Sequence, residues 1–382
     1  MAGALEGIKV LDLSRFIAGP FCAMQLADLG ADVVKVERAG KGEETRQNLP
    51  QLNGESLYFM TFNRNKRSLT LDFRSPRDQE TLRKLIAKAD VLIENFRPGT
   101  MEKMGCGWDT LRELNPRLVM VRISGFGQTG PLAQRPCFDA IAQAMSGLMS
   151  ITGQQDGPPM MAGTFMVDYA SGLYATIGTL AALNVRSQTG RGQLVESTLL
   201  ESAISMLISA IPAQAQLGEA MERCGNVDRY TAPVNSYPSA DGAFVYLSAG
   251  TDALFPRLVE AMDQPGLLAD ERFCTAHARL SNAVAISDIV AAWVLRHDAA
   301  EVVAAMDRAG VPCAKVATMD EVVTNPQLLA RGQIVDIDHP VAGRYSTHGV
   351  TVSLSDTPGE IRRAPPLLGE HTEEVLRGWG VA

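Results

Sequence analysis

Histidine is scarce in this chain. Its five copies, His277, His297, His339, His348 and His371, all come late, and the first 276 residues hold none. No two of them have the helical spacing of metal ligands, which argues against a histidine-built metal site. Any chemistry in that long first stretch proceeds without a histidine base. Cysteine is present but unpaired in pattern: Cys22, Cys106, Cys137, Cys224, Cys274 and Cys313 form no Cys-x-x-Cys motif. Scattered thiols in a large chain fit a reducing compartment, so a cytoplasmic location is expected. No apolar run approaches the roughly 18 residues of a membrane span. The opening Met1-Ala-Gly-Ala-Leu-Glu6 lacks a basic n-region and an apolar h-region, so no signal peptide is expected. Excess positive charge is also lacking. The formal net charge is −8, which argues against nucleic acid as the main partner. There is no internal repeat and no low-complexity tract.

What is present is a packable chain. Its 382 residues are 46% hydrophobic, enough for two cores rather than one. Apolar stretches at Ile8–Leu13, Asp32–Glu37, Ser68–Asp72, Val91–Ile93 and Leu118–Ile123 read as strands. Helical patterns from Gly19 to Leu29 and from Pro76 to Ala89 alternate with them, which predicts a parallel sheet covered on both faces. Helices are expected to dominate from Asp139 to Leu217. The pattern changes near Gly225. Val234–Leu247 reads as a hairpin turning at Ala240-Asp241-Gly242, followed by helices at 252–262, 284–296 and 299–309 and a strand at 311–317. After Asn325-Pro326 the chain is too irregular for a domain and is expected to pack back on the first one.

Asp168 stands alone in Thr164-Phe-Met-Val-Asp-Tyr-Ala-Ser-Gly172, between apolar and small residues. A carboxylate there lies close to backbone and partly desolvated, which suits a nucleophile that forms an acyl anhydride. It also reads as a helix N-cap. Basic residues gather early: Arg38 ends the second strand, Arg64, Lys66 and Arg67 crowd the third, and Arg74, Arg97 and Lys103 follow strands. Strand ends are where open α/β sheets bind ligands, so a polyphosphate pocket is one reading and a solvated surface the other. Gly125-Phe-Gly-Gln-Thr-Gly130 matches the dinucleotide pattern, but Pro131 follows and no helix opens before Phe138, so NAD is not expected. Met145, Met149, Met160, Met161 and Met166 read as filler or lining.

Several segments resemble class III CoA-transferases. They are Leu11-Asp-Leu-Ser-Arg-Phe-Ile-Ala-Gly-Pro20, Asp32-Val-Val-Lys-Val-Glu-Arg38, Asn63-Arg-Asn-Lys-Arg-Ser-Leu-Thr-Leu-Asp72, Glu94-Asn-Phe-Arg-Pro-Gly99, Ser124-Gly-Phe-Gly-Gln-Thr-Gly-Pro131, Phe138-Asp-Ala-Ile-Ala-Gln-Ala-Met-Ser-Gly-Leu-Met149 and Pro365-Pro-Leu-Leu-Gly-Glu-His-Thr372. The resemblance implies an α/β fold with a Rossmann-like large domain built from both chain ends, a smaller α/β domain, and an interlocked homodimer. On that reading residues 1–199 form the CoA-binding domain, 200–224 a helical linker, 225–325 the small domain and 326–382 the returning segment. It implies Asp168 as nucleophile, and Ile17, Ala18, Arg38, Leu71, Arg74, Asn95, Phe96, Arg97 and Lys103 as the residues that hold CoA. Asp139 matches an acidic position near the centre. Ala249 and Gly250, in Ser248-Ala-Gly-Thr251, match a covering loop, although the run of glycines in oxalate-type enzymes is missing. Coenzyme A would be a substrate rather than a resident cofactor, succinyl-CoA the first donor to test, and a small carboxylic acid the acceptor. The same fold also hosts 2-methylacyl-CoA racemases, in which a histidine precedes the acid where this chain has Phe138. A catalytically silent CoA-binding protein is the remaining alternative.

Overall fold

The computed structural model describes residues 3–381, which form two compact units. Of the described residues, the large unit comprises 3–149, 161–217 and 326–381; the small unit comprises 150–160 and 218–325.

The large unit is organised around six parallel strands: β1 (Lys9–Asp12), β2 (Asp32–Arg38), β3 (Lys66–Leu71), β4 (Val91–Glu94), β5 (Val119–Ser124) and β6 (Leu194–Thr198). Their order across the sheet is β3-β2-β1-β4-β5-β6. This is the doubly wound order of dinucleotide-binding folds, with the reversal between β1 and β4. The strands read as continuous apolar runs because both faces are covered. Val10, Val91, Ile93, Val119 and Val121 pack on one face with the helices Ala18–Asp28 and Met166–Thr189. Leu11, Leu92, Leu118 and Met120 pack on the other, with Leu82, Leu85 and Leu111 from the helices Pro76–Ile86 and Trp108–Leu114. Each such side chain contributes about 1.5–3 kcal/mol by leaving water.

The chain's last segment completes this second face. Val375 and Trp379 are buried in it, the Trp379 Nε1 donates to Asp32 at 3.1 Å, and the His371 amide donates to the Ser68 carbonyl at 2.9 Å. Both ends of the chain therefore build one core. Among the described residues no helix is long and apolar enough to cross a membrane.

The small unit holds a three-stranded antiparallel sheet of Val234–Pro238, Phe244–Ser248 and Cys313–Lys315, with Phe244–Ser248 central. Tyr237, Val245, Leu247, Phe255, Leu258 and Trp293 form its core with helices Phe255–Ala261, Ala283–Val294 and Ala299–Ala309.

Several expectations need correction. Residues 150–160 belong with the small unit, because Gly225 donates to the Gly153 carbonyl at 2.8 Å and Arg229 to the Ile151 carbonyl at 3.0 Å. The stretch 200–217 is part of the large unit rather than a linker: Leu199 and Ala203 are buried in the same cluster as Val167 and Ala182. The strand β6 interrupts the expected helical stretch, and the helix Leu57–Asn63 is an addition.

Candidate active site

The strand order fixes where a ligand can enter. Beyond the C-terminal ends of β1 and β4 the connections leave in opposite directions and open a crevice. The loop after β1 is held there by Asn95, the first residue past β4. Its Oδ1 accepts from the Arg15 amide at 2.9 Å and its Nδ2 donates to the Arg15 carbonyl at 2.7 Å. Beneath the loop, Lys35 Nζ donates to the Ser14 carbonyl at 3.0 Å, and Asp12 accepts from the Ser14 amide at 3.0 Å and from Lys66 Nζ at 2.8 Å. Phe16 is thereby forced to φ +66°, a left-handed conformation costly for a bulky residue, and its ring meets Phe138 edge-on at 5.5 Å.

A cavity of about 340 Å³ opens at this point. Asp168 lies on its wall, in the first turn of the helix Met166–Thr189. It is not the N-cap, which is Phe165 and offers no side-chain acceptor. Asp139 does that work from a distance: one carboxylate oxygen accepts from the amides of Val167 at 2.8 Å and Asp168 at 3.0 Å. Its other oxygen accepts from Gln143 at 2.5 Å, and Gln143 in turn accepts from the Ala162 amide at 3.0 Å. Asp139 is thus buried but satisfied. The helix is capped without using Asp168, whose carboxylate has no hydrogen-bond partner among the described residues. Gly172 lets the same helix pack tightly: a Cβ there would sit 2.7 Å from the Ala18 carbonyl oxygen. Burial, and then the neighbouring Asp139 charge, push the Asp168 carboxyl up to about 7. A helix N-terminus favours the ionised form, and here burial outweighs it.

A second cavity, of about 290 Å³, adjoins the first and shares Arg15, Glu44 and Phe96 with it. The residues singled out in the sequence distribute over both. Ile17, Ala18, Asn95, Phe96, Arg97 and Asp168 line the first. Arg38 and Phe96 line the second. Leu71 is buried at the end of β3 and lines neither, and Arg74 and Lys103 are exposed beside the second cavity's Phe73 and Met104. Asp139 is behind the wall rather than on it. Ala249 and Gly250 belong to the small unit, where buried Arg279 pins their loop by donating to the carbonyls of Ala232 at 3.1 Å and Gly250 at 2.9 Å.

Part of the early basic cluster drops out. Arg64, Lys66 and Arg67 pair with Asp28 at 2.7 Å, Asp12 at 2.8 Å and Asp32 at 2.7 Å, respectively. They are structural cations. Met145, Met160 and Met161 are exposed and line neither cavity. The Gly125–Gly130 loop follows β5, not β1, and no helix opens until Asp139. Gly125 is needed for contact: a Cβ there would overlap the Cys137 Cβ at 2.2 Å. Arg15, Glu44 and Arg135 are cavity residues that the sequence reading passed over. Arg15 was findable, as the basic residue in the first turn after β1.

Comparison with known proteins gives three kinds of match. The family model for CoA-transferase family III matches residues 5–372. The chain is 40% identical to succinyl-CoA--D-citramalate CoA-transferase of Chloroflexus aurantiacus over 97% of its length and 93% of the relative's. It is 36% identical to succinyl-CoA:glutarate CoA-transferase of Homo sapiens over 98% and 85%, respectively. Its fold matches the crystal structure of a CAIB/BAIF family protein from Brucella suis with a TM-score of 0.88, at 33% identity, over 99% of this chain and all of the other.

Proposed function

The chain belongs to CoA-transferase family III, and from that premise we propose that it moves CoA from a dicarboxylic acyl-CoA, succinyl-CoA first, to a small carboxylic acid, with Asp168 as the acyl carrier. The observation that carries this reading is the unpartnered Asp168 carboxylate on the wall of a cavity at the reversal of the sheet. The succinyl donors of the two relatives support the choice of substrate.

The Asp168 carboxylate attacks the thioester carbon. The C–S bond breaks, CoA leaves as the thiolate, and a mixed anhydride remains. The thiolate then attacks the aspartyl carbonyl and expels the donor acid, giving an aspartyl-CoA thioester. The acceptor carboxylate attacks that thioester and releases the thiolate, which takes the acceptor's acyl group from the second anhydride and restores Asp168. Splitting one transfer into such steps lowers each barrier. Asp139 serves by keeping the helix end capped, so that the Asp168 oxygens stay free. Arg38, Arg74, Arg97 and Lys103 supply positive charge for the CoA phosphates, while Ile17, Ala18, Leu71, Asn95 and Phe96 shape the crevice.

The racemase alternative needs a base beside the α-carbon. Phe138 supplies none, and its ring packs on Phe16 instead. The working form is a homodimer, interlocked as the family resemblance implies. An exposed apolar stripe of Leu173, Tyr174, Ile177 and Val185 on the Asp168 helix supports a covering partner, as does the helix Ala210–Leu217, which has no buried residue. A reducing, cytoplasmic setting fits the six free thiols.

The test is isotope exchange. With succinyl-CoA and enzyme alone, labelled free succinate should enter the succinyl-CoA pool, since the first half-reaction is reversible. Absence of exchange with succinate and with a panel of other small acids would reject the function.

A further inference from the structure

The first cavity carries three arginines, and only one is engaged. Arg15 pairs with Glu44 at 2.7 Å and lies 5.4 Å from the centre of the Phe96 ring. Arg97 and Arg135 have no acidic partner among the described residues. They stand on different loops. Arg97 leaves the loop after β4, next to Phe96, which the two cavities share. Arg135 stands on the Ala133–Phe138 loop, no residue of which lines the second cavity. The Cys137 thiol beside it feels both ends of the site: burial and the Asp168 charge push it up to about 11, and Arg135 pulls the other way.

We propose that Arg135 binds the distal carboxylate of a dicarboxylic acyl group while Asp168 works on its thioester carbon, and that it thereby selects dicarboxylates over monocarboxylates. The proposal rests on the dicarboxylate reading above. A guanidinium offers a planar fork of donors that matches a carboxylate and needs no proton exchange. A short diacid carries a thioester at one end and a carboxylate at the other, joined by methylenes. Ile123, Phe138 and Leu199 give the same cavity apolar surface for those methylenes. A monocarboxylic acyl group would leave Arg135 facing a methyl. Donor and acceptor acids form the same kind of anhydride on Asp168 in turn, so one arginine screens both. The CoA phosphates have their own unpaired cation in Arg38, on the second cavity.

The experiment compares wild type, Arg135→Gln and Arg135→Lys with succinyl-CoA and with butyryl-CoA, its uncharged counterpart of equal chain length. Losing a charged hydrogen-bond partner costs about 10- to 100-fold, so kcat/KM for succinyl-CoA should fall that far in Arg135→Gln. The fall should exceed the fall for butyryl-CoA by at least about tenfold. Arg135→Lys should recover part of the loss, and the Kd of free CoA by calorimetry should stay within about threefold of wild type. Equal losses with both donors, or a CoA Kd that rises in step, would overturn the proposal and make Arg135 a phosphate ligand, leaving the transferase function intact. A wild type that prefers butyryl-CoA would overturn both the proposal and the dicarboxylate reading. A wild type that transfers from neither donor would overturn the proposal and the choice of succinyl-CoA together.

Discussion

At the start of β3, Arg64, Lys66 and Arg67 are engaged on every side. Arg64 bonds Asp28 and the carbonyls of His348 and Gly349; Lys66 bonds Asp12, Asn63 and the Pro20 carbonyl; Arg67 spans Asp32 and Glu374. At the open ends of β2 and β4, Arg38 and Arg97 have no acidic partner among the described residues and face the two cavities. The same contrast separates two aspartates. Asp139 spends its oxygens on backbone amides and Gln143, while Asp168 keeps both free. An ion whose field is already neutralised by the fold cannot recruit a ligand. An ion left open costs the fold something and is available for chemistry. Position in the chain does not tell the two kinds apart; partners do.

The largest expected difference is in stability. Arg64→Ala leaves the buried Asp28 without its main partner and should lower unfolding free energy by about 3–5 kcal/mol, read as a shifted denaturant midpoint. The folded fraction should retain its KM for the donor. A variant of normal stability with a raised KM would break the contrast by making Arg64 a ligand residue.

Asp168→Asn should act in the opposite direction. The Asp168 pKa is raised in the fold, from the usual 3.8 to about 7. A raised folded pKa gives stability that is present below pH 4 and lost as pH rises through about 7. The amide escapes that loss. The variant should therefore melt like wild type at acid pH and be more stable above pH 8, by on the order of 2 kcal/mol once solvent screening is discounted. In the wild type, kcat/KM should rise through pH 7 and level off, because only the ionised carboxylate attacks. Equal melting at pH 8 would mean that Asp168 is an ordinary surface acid.

Arg38→Ala should show the smallest change. Its stability should stay within about 0.5 kcal/mol of wild type, and KM for acyl-CoA should rise about tenfold with kcat nearly constant, since a phosphate contact is made alike in ground and transition states. A collapsed kcat with unchanged KM would move Arg38 to the reaction centre.

The sheet was largely legible because its strands, buried on both faces, are unbroken apolar runs such as Val91-Leu92-Ile93. β6 was not, because Glu196 and Ser197 interrupt it at the sheet edge. The start of β3 was misread because buried, paired cations look like surface. Asp168 stood out as a lone acid among apolar and small neighbours. The cap from Asp139 links positions far apart in the chain, and no local pattern announces it. Arg135 has no distinguishing neighbours in sequence, and only the cavity wall singles it out.

In the proposed reaction Asp168 carries the acyl group and then CoA. The direct measurement is to incubate the enzyme with succinyl-CoA, trap with hydroxylamine, and weigh the peptide around residue 168. The wild type should carry a hydroxamate on Asp168 and Asp168→Asn none, with a transfer rate in that variant lower by about 10⁴-fold or more. Full turnover by Asp168→Asn with deamidation excluded, or a hydroxamate on another carboxylate with Asp168 unmodified, would contradict it.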